Sequence, residues 1–184
     1  EQTGAIALGD LDDDGRLDLI RGNTGAATLT LNAGGIFAST PNWSGPVEDS
    51  RTLALGDLDG DGDLDLVRGN LNQASTLYFN VSSPLAASPI WTGPPEDTRA
   101  VAIGDVDRDG DLDVVRGNLG QGATLVRSVA GVLDDFPSWT GPAENTLAVA
   151  LGDVDGDGDL DLVRGNFGHG STLYLNLAGS FAAA

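Results

Sequence analysis

The sequence predicts an all-β fold built from four copies of one unit, and three observations predict it. First, the segment Gly56-Asp57-Leu58-Asp59-Gly60-Asp61-Gly62-Asp63-Leu64-Asp65-Leu66-Val67-Arg68-Gly69-Asn70 returns in near copies that begin at Gly9, Gly104 and Gly152. Second, the spacings of 47, 48 and 48 residues lie in the range of repeat arrays, whose units are each too small to bury an apolar face alone. Third, the flanks of every copy are short and β-favouring. Ile6-Ala7-Leu8, Leu53-Ala54-Leu55, Val101-Ala102-Ile103 and Val149-Ala150-Leu151 precede the loops, and Leu19-Ile20, Leu66-Val67, Val114-Val115 and Leu162-Val163 follow them. Each loop therefore joins two strands.

The loops carry the chemistry. Carboxylates stand at loop positions 1, 3, 5 and 9, with glycine at position 6. Four carboxylates within nine residues repel one another, and a hard divalent cation is the simplest compensation. Alternate side chains of a curled backbone can point inward, while the glycine permits the sharp turn that returns position 9 to the ion. Oxygen donors without Cys or His point to Ca²⁺ rather than Mg²⁺, which demands stricter octahedral geometry. In calcium loops of this kind position 7 contributes its carbonyl, which leaves its side chain free to vary, and Arg16 stands where other copies have Asp63, Asp111 and Asp159. An EF-hand is excluded because position 12, which needs a bidentate Glu, is Arg21, Arg68, Arg116 or Arg164. A solvated acidic turn is the bland alternative, and four copies in phase argue against it.

This D-x-D-x-D-G-x-x-D hairpin, repeated about every 48 residues and followed by Leu-Val-x-Gly-Asn, resembles the FG-GAP/VCBS repeats of integrin α-subunit-type β-propellers. The resemblance covers all four repeats and implies a four-stranded blade per repeat, with calcium held between the first two strands, about four ions per chain. The ligands it implies are Asp10, Asp12, Asp14 and Asp18; Asp57, Asp59, Asp61 and Asp65; Asp105, Asp107, Asp109 and Asp113; and Asp153, Asp155, Asp157 and Asp161, with Arg16, Asp63, Asp111 and Asp159 acting through their backbone carbonyls. The Phe-Gly and Gly-Ala-Pro pairs of the integrin version are absent, which makes the bacterial-type VCBS branch the nearer match.

Formal charge is −19, and twenty of the twenty-eight acidic residues lie in the four loops. The acidity is largely a ligand inventory, and what remains disfavours nucleic acid or an anionic membrane as partner. All nine basic residues are Arg, and Cys is missing, which removes disulfides, thiolate nucleophiles and Cys-built zinc sites. No apolar run has membrane-spanning length. All-Asp loops of this kind suit millimolar calcium, so an extracellular or cell-surface setting is expected.

Taken in order, the repeats fall at about 1–47, 48–95, 96–143 and 144–184 of a single propeller or half-propeller domain. Each opens on an acidic residue at 1, 48, 96 or 144, and the Arg that closes the second strand is expected to bridge to such a Glu. Asn and Gly after the Arg suit a turn. Ala27–Leu31, Ser75–Phe79, Ala123–Arg127 and Ser171–Leu175 read as third strands, with Arg127 expected to face solvent. The outer strand is expected through Ile36-Phe37, Leu85-Ala86, Val132-Leu133 and Phe181, with a Trp-Ser/Thr-Gly-Pro corner after it in the first three units. Trp43, Trp91 and Trp139 fit two roles, packing against the next unit or serving as sugar platforms. His169 reads as a loop residue. Continuing the register puts the next Trp beyond Ala184, which fits closure as four blades alone, closure head to tail with a second chain as eight, or truncation from a longer chain, which leaves the same signature.

The function read from this pattern is a calcium-stabilised, non-catalytic binding or adhesion module whose partner is a glycan or a protein. Two other readings stay open: a self-assembling structural repeat, and a calcium-dependent polysaccharide lyase of the kind that also uses a propeller. The lyase needs a positioned base, yet Lys is absent, His169 is solitary, and Tyr78 and Tyr174 sit on strands. No catalytic residues are assigned.

Overall fold

The computed structural model describes residues 2–81 and 85–184, all in strands, turns and loops. The strands are β1 (Thr3–Gly9), β2 (Asp18–Thr30), β3 (Trp43–Gly56), β4 (Asp65–Asn70), β5 (Gln73–Tyr78), β6 (Trp91–Glu96), β7 (Thr98–Gly104), β8 (Asp113–Asn118), β9 (Gln121–Val126), β10 (Ser128–Val129), β11 (Val132–Leu133), β12 (Trp139–Glu144), β13 (Thr146–Gly152), β14 (Asp161–Asn166), β15 (Thr172–Asn176) and β16 (Phe181–Ala183). They form four antiparallel blades. Blade 1 is β1, β2 and the first half of β3; blade 2 is the second half of β3 with β4, β5 and β6; blade 3 is β7, β8, β9 and β12; blade 4 is β13 to β16.

Two strands are long because each serves twice. The first half of β2 pairs with β1 and its second half with β3. Likewise β3 edges blade 1 from Trp43 to Asp49, then becomes the first strand of blade 2 from Ser50 to Gly56. Blades 1 and 2 are thus tied by one continuous strand as well as by packing.

The outer strand differs from the expected one. In blades 1 to 3 the Trp-Ser/Thr-Gly-Pro segment itself pairs with the third strand, as Trp43 with Leu29, Trp91 with Leu77 and Trp139 with Leu125. Val132-Leu133 makes only a two-residue hairpin with β10, and Phe37 a single bridge to Asn32. Only in blade 4 does the expected residue, Phe181, lie in the outermost strand. Pro is tolerated in the Trp strand because one side of an edge strand is unpaired, and the Gly-Pro pair falls at a break in the register.

Alternation along the second strand places one residue on each side of the sheet. Leu66 faces blade 1 and Val67 faces blade 3; Val114 faces blade 2 and Val115 faces blade 4. Three apolar seams result. The first joins Leu11, Ile20, Leu29 and Trp43 to Leu66, Tyr78 and Leu85; the second joins Val67, Leu77 and Trp91 to Val114, Val126 and Leu133; the third joins Val115 and Leu125 to Leu162, Tyr174 and Phe181. The outward sides of the first and last blades stay open: Ile6 and Leu8 are 67% and 54% exposed, and Val154 is 55% exposed. Four blades in one chain therefore form an open array, and closure of a single chain into a four-bladed ring is not what the structure has.

Candidate metal centre

Each acidic loop joins the first two strands of its blade, held at its base by a pairing such as Gly9 with Asp18 or Gly56 with Asp65. The position 6 glycines, Gly15, Gly62, Gly110 and Gly158, have φ of 83, 99, 98 and 90°. These are left-handed values that favour glycine. Position 4 is left-handed too, and there Asp13 (56°) and Arg108 (62°) adopt it without being glycine.

The position 1 carboxylate organises the turn. Asp57 accepts hydrogen bonds from the Gly60 and Gly62 amides at 2.8 and 3.0 Å, and Asp153 from Gly156 and Gly158 at 2.7 and 3.0 Å. The position 9 carboxylate ties the loop to the sheet. One oxygen of buried Asp65 accepts from Leu58 N–H and the other from Asn80 N–H, both at 2.8 Å. Asp18, Asp113 and Asp161 repeat this with Leu11 and Asn32, Val106 and Ser128, and Val154 and Asn176.

Carboxylate oxygens converge in all four loops. Asp10, Asp12 and Asp18; Asp57, Asp59 and Asp61; Asp105, Asp107 and Asp113; and Asp153, Asp155 and Asp161 each form a group whose oxygens lie within 4.8 Å of one another. Of the other position 5 residues, Asp14 pairs with Arg16, while Asp109 and Asp157 accept from the amides of Asp111 and Asp159. The position 7 side chains turn elsewhere. Arg16 Nε donates to the Asn32 carbonyl at 2.8 Å, Asp111 accepts from Ala130 N–H, and Asp159 pairs with Arg108 of the preceding loop at 2.7 Å.

The donor set fits a hard cation. Every donor is oxygen, and one buried oxygen each of Asp12, Asp105 and Asp107 has no hydrogen-bond partner, a costly arrangement unless a cation supplies one. The strain shows in the acidities. Desolvation, reinforced by Asp59 and Asp61, pushes Asp65 up to about 6 against two backbone N–H groups that pull it down. Asp113 is pushed to about 6 in the same way, with Asp107 and Asp109 as neighbours. Asp12 is raised by burial and by Asp18 and Asp14. Asp161 moves the other way, because the amides of Asn176 and Val154 stabilise its charge.

Between the blades, the expected Arg to Glu bridges are present. Arg68 pairs with Glu48 at 3.1 Å, Arg116 with Glu96 at 2.9 Å and Arg164 with Glu144 at 2.6 Å, and all three Arg side chains are fully buried. The partner expected for Arg21, Glu1, lies outside the described residues. Arg68 and Arg164 also donate to the hydroxyls of Tyr78 and Tyr174. Trp43 and Trp91 are buried, and their indole N–H groups donate to Ala86 O and Asp134 O of the next blade, both at 3.0 Å. Trp139 packs edge to face on Tyr174 and Phe181. Each Trp ring folds over the glycine two residues on: a Cβ at Gly93 would lie 2.6 Å from Trp91 and 3.0 Å from Arg116. His169 lies in an exposed turn.

Arg127 does not face solvent freely. Half-buried, it pairs with Asp107 at 3.3 Å and reaches the Gly179 carbonyl of blade 4. Sequence reasoning also missed the residues that bind the position 9 Asp from behind. Asn80 donates its side-chain N–H to Leu11 O and Asn176 donates to Val106 O, each linking its blade to the preceding loop. The signal was available, since Asn32, Asn80 and Asn176 recur in register.

Beside Trp91, a cleft of about 300 Å³ opens between blades 2 and 3, lined by Leu77, Phe79, Ile90, Trp91, Gly131, Val132, Leu133 and Asp135.

Comparison with known proteins gives the fold a wider setting. No curated protein sequence matches the chain. Among solved structures, it is similar to an Agrocybe aegerita lectin described by its recognition of non-reducing terminal N-acetylglucosamine, with TM-score 0.58 and 18% identity over 98% of this chain and 51% of that one. It is similar to BBS1N, crystallised in complex with ARL6DN, with TM-score 0.67 and 9% identity over 100% of this chain and 57% of that one. A third is the V. cholerae biofilm matrix protein Bap1, with TM-score 0.55 and 19% identity over 98% of this chain and 30% of that one. The chain thus spans 57% or less of each of these structures. Such likeness shows the fold, a propeller-type array of four-stranded blades. The profile of the FG-GAP-like repeat matches residues 10–68 and 57–116, and with the loop geometry and blade order above it follows that the chain belongs to the FG-GAP-like repeat family.

Proposed function

We propose that this chain is a calcium-stabilised, non-catalytic binding module that recognises a glycan or a protein through a cleft between blades, at an extracellular or cell-surface location. The observation that carries the reading is the cleft between blades 2 and 3. Its floor is apolar, its rim holds exposed Ile90 and Val132 and the acid Asp135, and the indole of Trp91 forms one wall. An apolar floor beside a few polar groups suits the C–H face of a sugar ring or an apolar side chain of a partner. The lectin with a similar fold supports the glycan side of the proposal, and the complex of BBS1N supports the protein side.

Asp10, Asp12 and Asp18 and their counterparts would hold calcium, which supplies positive charge to the converging carboxylates and fixes the loops. The chain's own residues set the frame by clamping each loop through the position 9 Asp. Catalysis is disfavoured by what the candidate bases are doing. The hydroxyls of Tyr78 and Tyr174 are engaged by buried Arg68 and Arg164, away from the lining of the cleft.

Two measurements test the reading. Calorimetric titration of calcium into the metal-free chain is expected to show about four ions, with thermal stability falling on chelation; Asp109→Ala, an exposed change, is expected to weaken one of those sites and to leave metal-free stability within about 0.5 kcal/mol. For the cleft, the exposed substitutions Ile90→Asp and Val132→Asp are expected to weaken capture on a glycan or protein array by about 10-fold or more while leaving the melt unchanged. Undiminished capture by both variants would remove the cleft from consideration.

A further inference from the structure

The side of each blade turned toward the preceding blade is its leading face, and the other is its trailing face. At every internal seam, two glycines of the trailing face act as slots. A Cβ on Gly9 would meet Leu55 and Leu64 of blade 2 at 2.7 and 2.9 Å; on Gly56 it would meet Leu112 and Ile103 of blade 3 at 3.2 and 3.4 Å; on Gly104, Leu160 and Leu151 of blade 4 at 2.8 and 3.1 Å. The second slot behaves alike. Gly22 faces Ser50 and Leu53, and Gly117 faces Thr146 and Val149, contributed by the next blade, while a Cβ on Gly69 would meet Thr52 of its own blade and, at 2.7 Å, Thr98 of the next.

On blade 4 the same slots are open. Nothing lies within 4 Å of a Cβ on Gly152, and one on Gly165 meets only Ala148 of its own blade. Beside them Val163 and Val154 are 36% and 55% exposed, although their counterparts Val115 and Val106 are buried. The matching side chains stand exposed on blade 1, where Leu8, Leu17 and Ile6 occupy the positions of Leu55, Leu64 and Leu53. Charge agrees with shape. Arg16 replaces the acid found at position 7 of the other loops, on the edge that position 4 of a preceding blade approaches, as Arg108 approaches Asp159. A preceding fourth loop would present Gly156 and its aspartates there.

We propose that the trailing face of blade 4 receives the leading face of blade 1 from a second copy of this chain, Leu8 and Leu17 filling the Gly152 slot and Ile6 the Gly165 slot. Two copies joined at both ends share one ring. The contact is heterologous, each copy giving one face and receiving the other, and it continues the interface used three times within the chain.

The test is the solution mass of the chain in calcium, by light scattering or sedimentation, together with two variants. Gly152→Leu fills the slot from a position where an added Cβ has nothing of its own chain within 4 Å, and Leu8→Lys charges the opposite face. A two-chain particle is expected for the wild type, and each variant alone is expected to weaken association by about 10-fold or more at every contact it touches, with the melt of the isolated chain retained. Mixing the two variants is expected to restore a two-chain particle, because one unaltered trailing face then meets one unaltered leading face; a contact between like faces would not recover. A monomer at high micromolar concentration, a ladder of open oligomers, or a dimer indifferent to both substitutions would each overturn the proposal.

Discussion

Asp65 and Asp113 clamp their loops to the sheet through both carboxylate oxygens, and two opposing influences act on their acidity. Both oxygens of each accept backbone N–H groups, which favours the charged form, yet burial and neighbouring carboxylates win and raise both groups to about 6. Because that value lies above the ordinary carboxylate range of an unfolded chain, about 3.9, the native state takes up protons more readily than the unfolded one between those values. Their favourable contribution is complete below about pH 4 and is lost as pH rises through about 6. Asp161, lowered by its amide donors, has the opposite sign, but its effect falls below that window. In calcium-free buffer the melting temperature is therefore expected to be higher at pH 5 than at pH 7, whereas the gain on adding calcium should be largest at pH 7, where no proton competes with the ion. Thermal melts at the two pH values, with and without calcium, check both halves. The acidic loops were legible in the sequence because alternate aspartates and a glycine at position 6 describe the turn almost by themselves. The left-handed turns at Asp13 and Arg108 were not, since neither residue type announces that conformation.

At the scale of an element, the seams differ in one informative place. Arg68 and Arg164 each find a tyrosine hydroxyl, but at the corresponding position of blade 3 stands Val126, and the Arg116 guanidinium, although paired with Glu96, has no well-aligned hydrogen bond. Desolvation accordingly lowers the Arg116 pKa. Val126→Tyr would place a hydroxyl where blades 2 and 4 have one, against a Trp of the preceding blade as in the contact of Trp43 with Tyr78. A stability gain of about 1 kcal/mol is expected, read as a higher urea midpoint at unchanged slope. Elements were legible unevenly. The first three strands of each blade follow from alternation, and the Arg to Glu bridges follow from one of each recurring per unit. The outer strand was misplaced because Gly-Pro reads as a chain breaker. It serves as a strand here because it lies at a sheet edge and needs the glycine beside the Trp ring. Arg127 misled for a different reason: alternation along one blade says nothing about blade 4 closing over it with Gly179 and holding it near Asp107.

For the whole molecule, the period and the loop pattern announced the architecture. Whether the ends meet was not legible, because the residues of the terminal faces look like those of every other blade and only their exposure sets them apart. The strand β3 has a consequence for mechanics. Since one unbroken backbone leaves the rim of blade 1 and enters the heart of blade 2, tension applied to the two ends of the chain has to peel strands from sheets rather than slide blades past each other. Peeling should advance one repeat at a time, each releasing 47 or 48 residues of slack, or about 160 Å of contour. A pulling experiment is expected to show a sawtooth of that spacing, with calcium raising the force of each tooth by gripping the loop where the next strand begins to part.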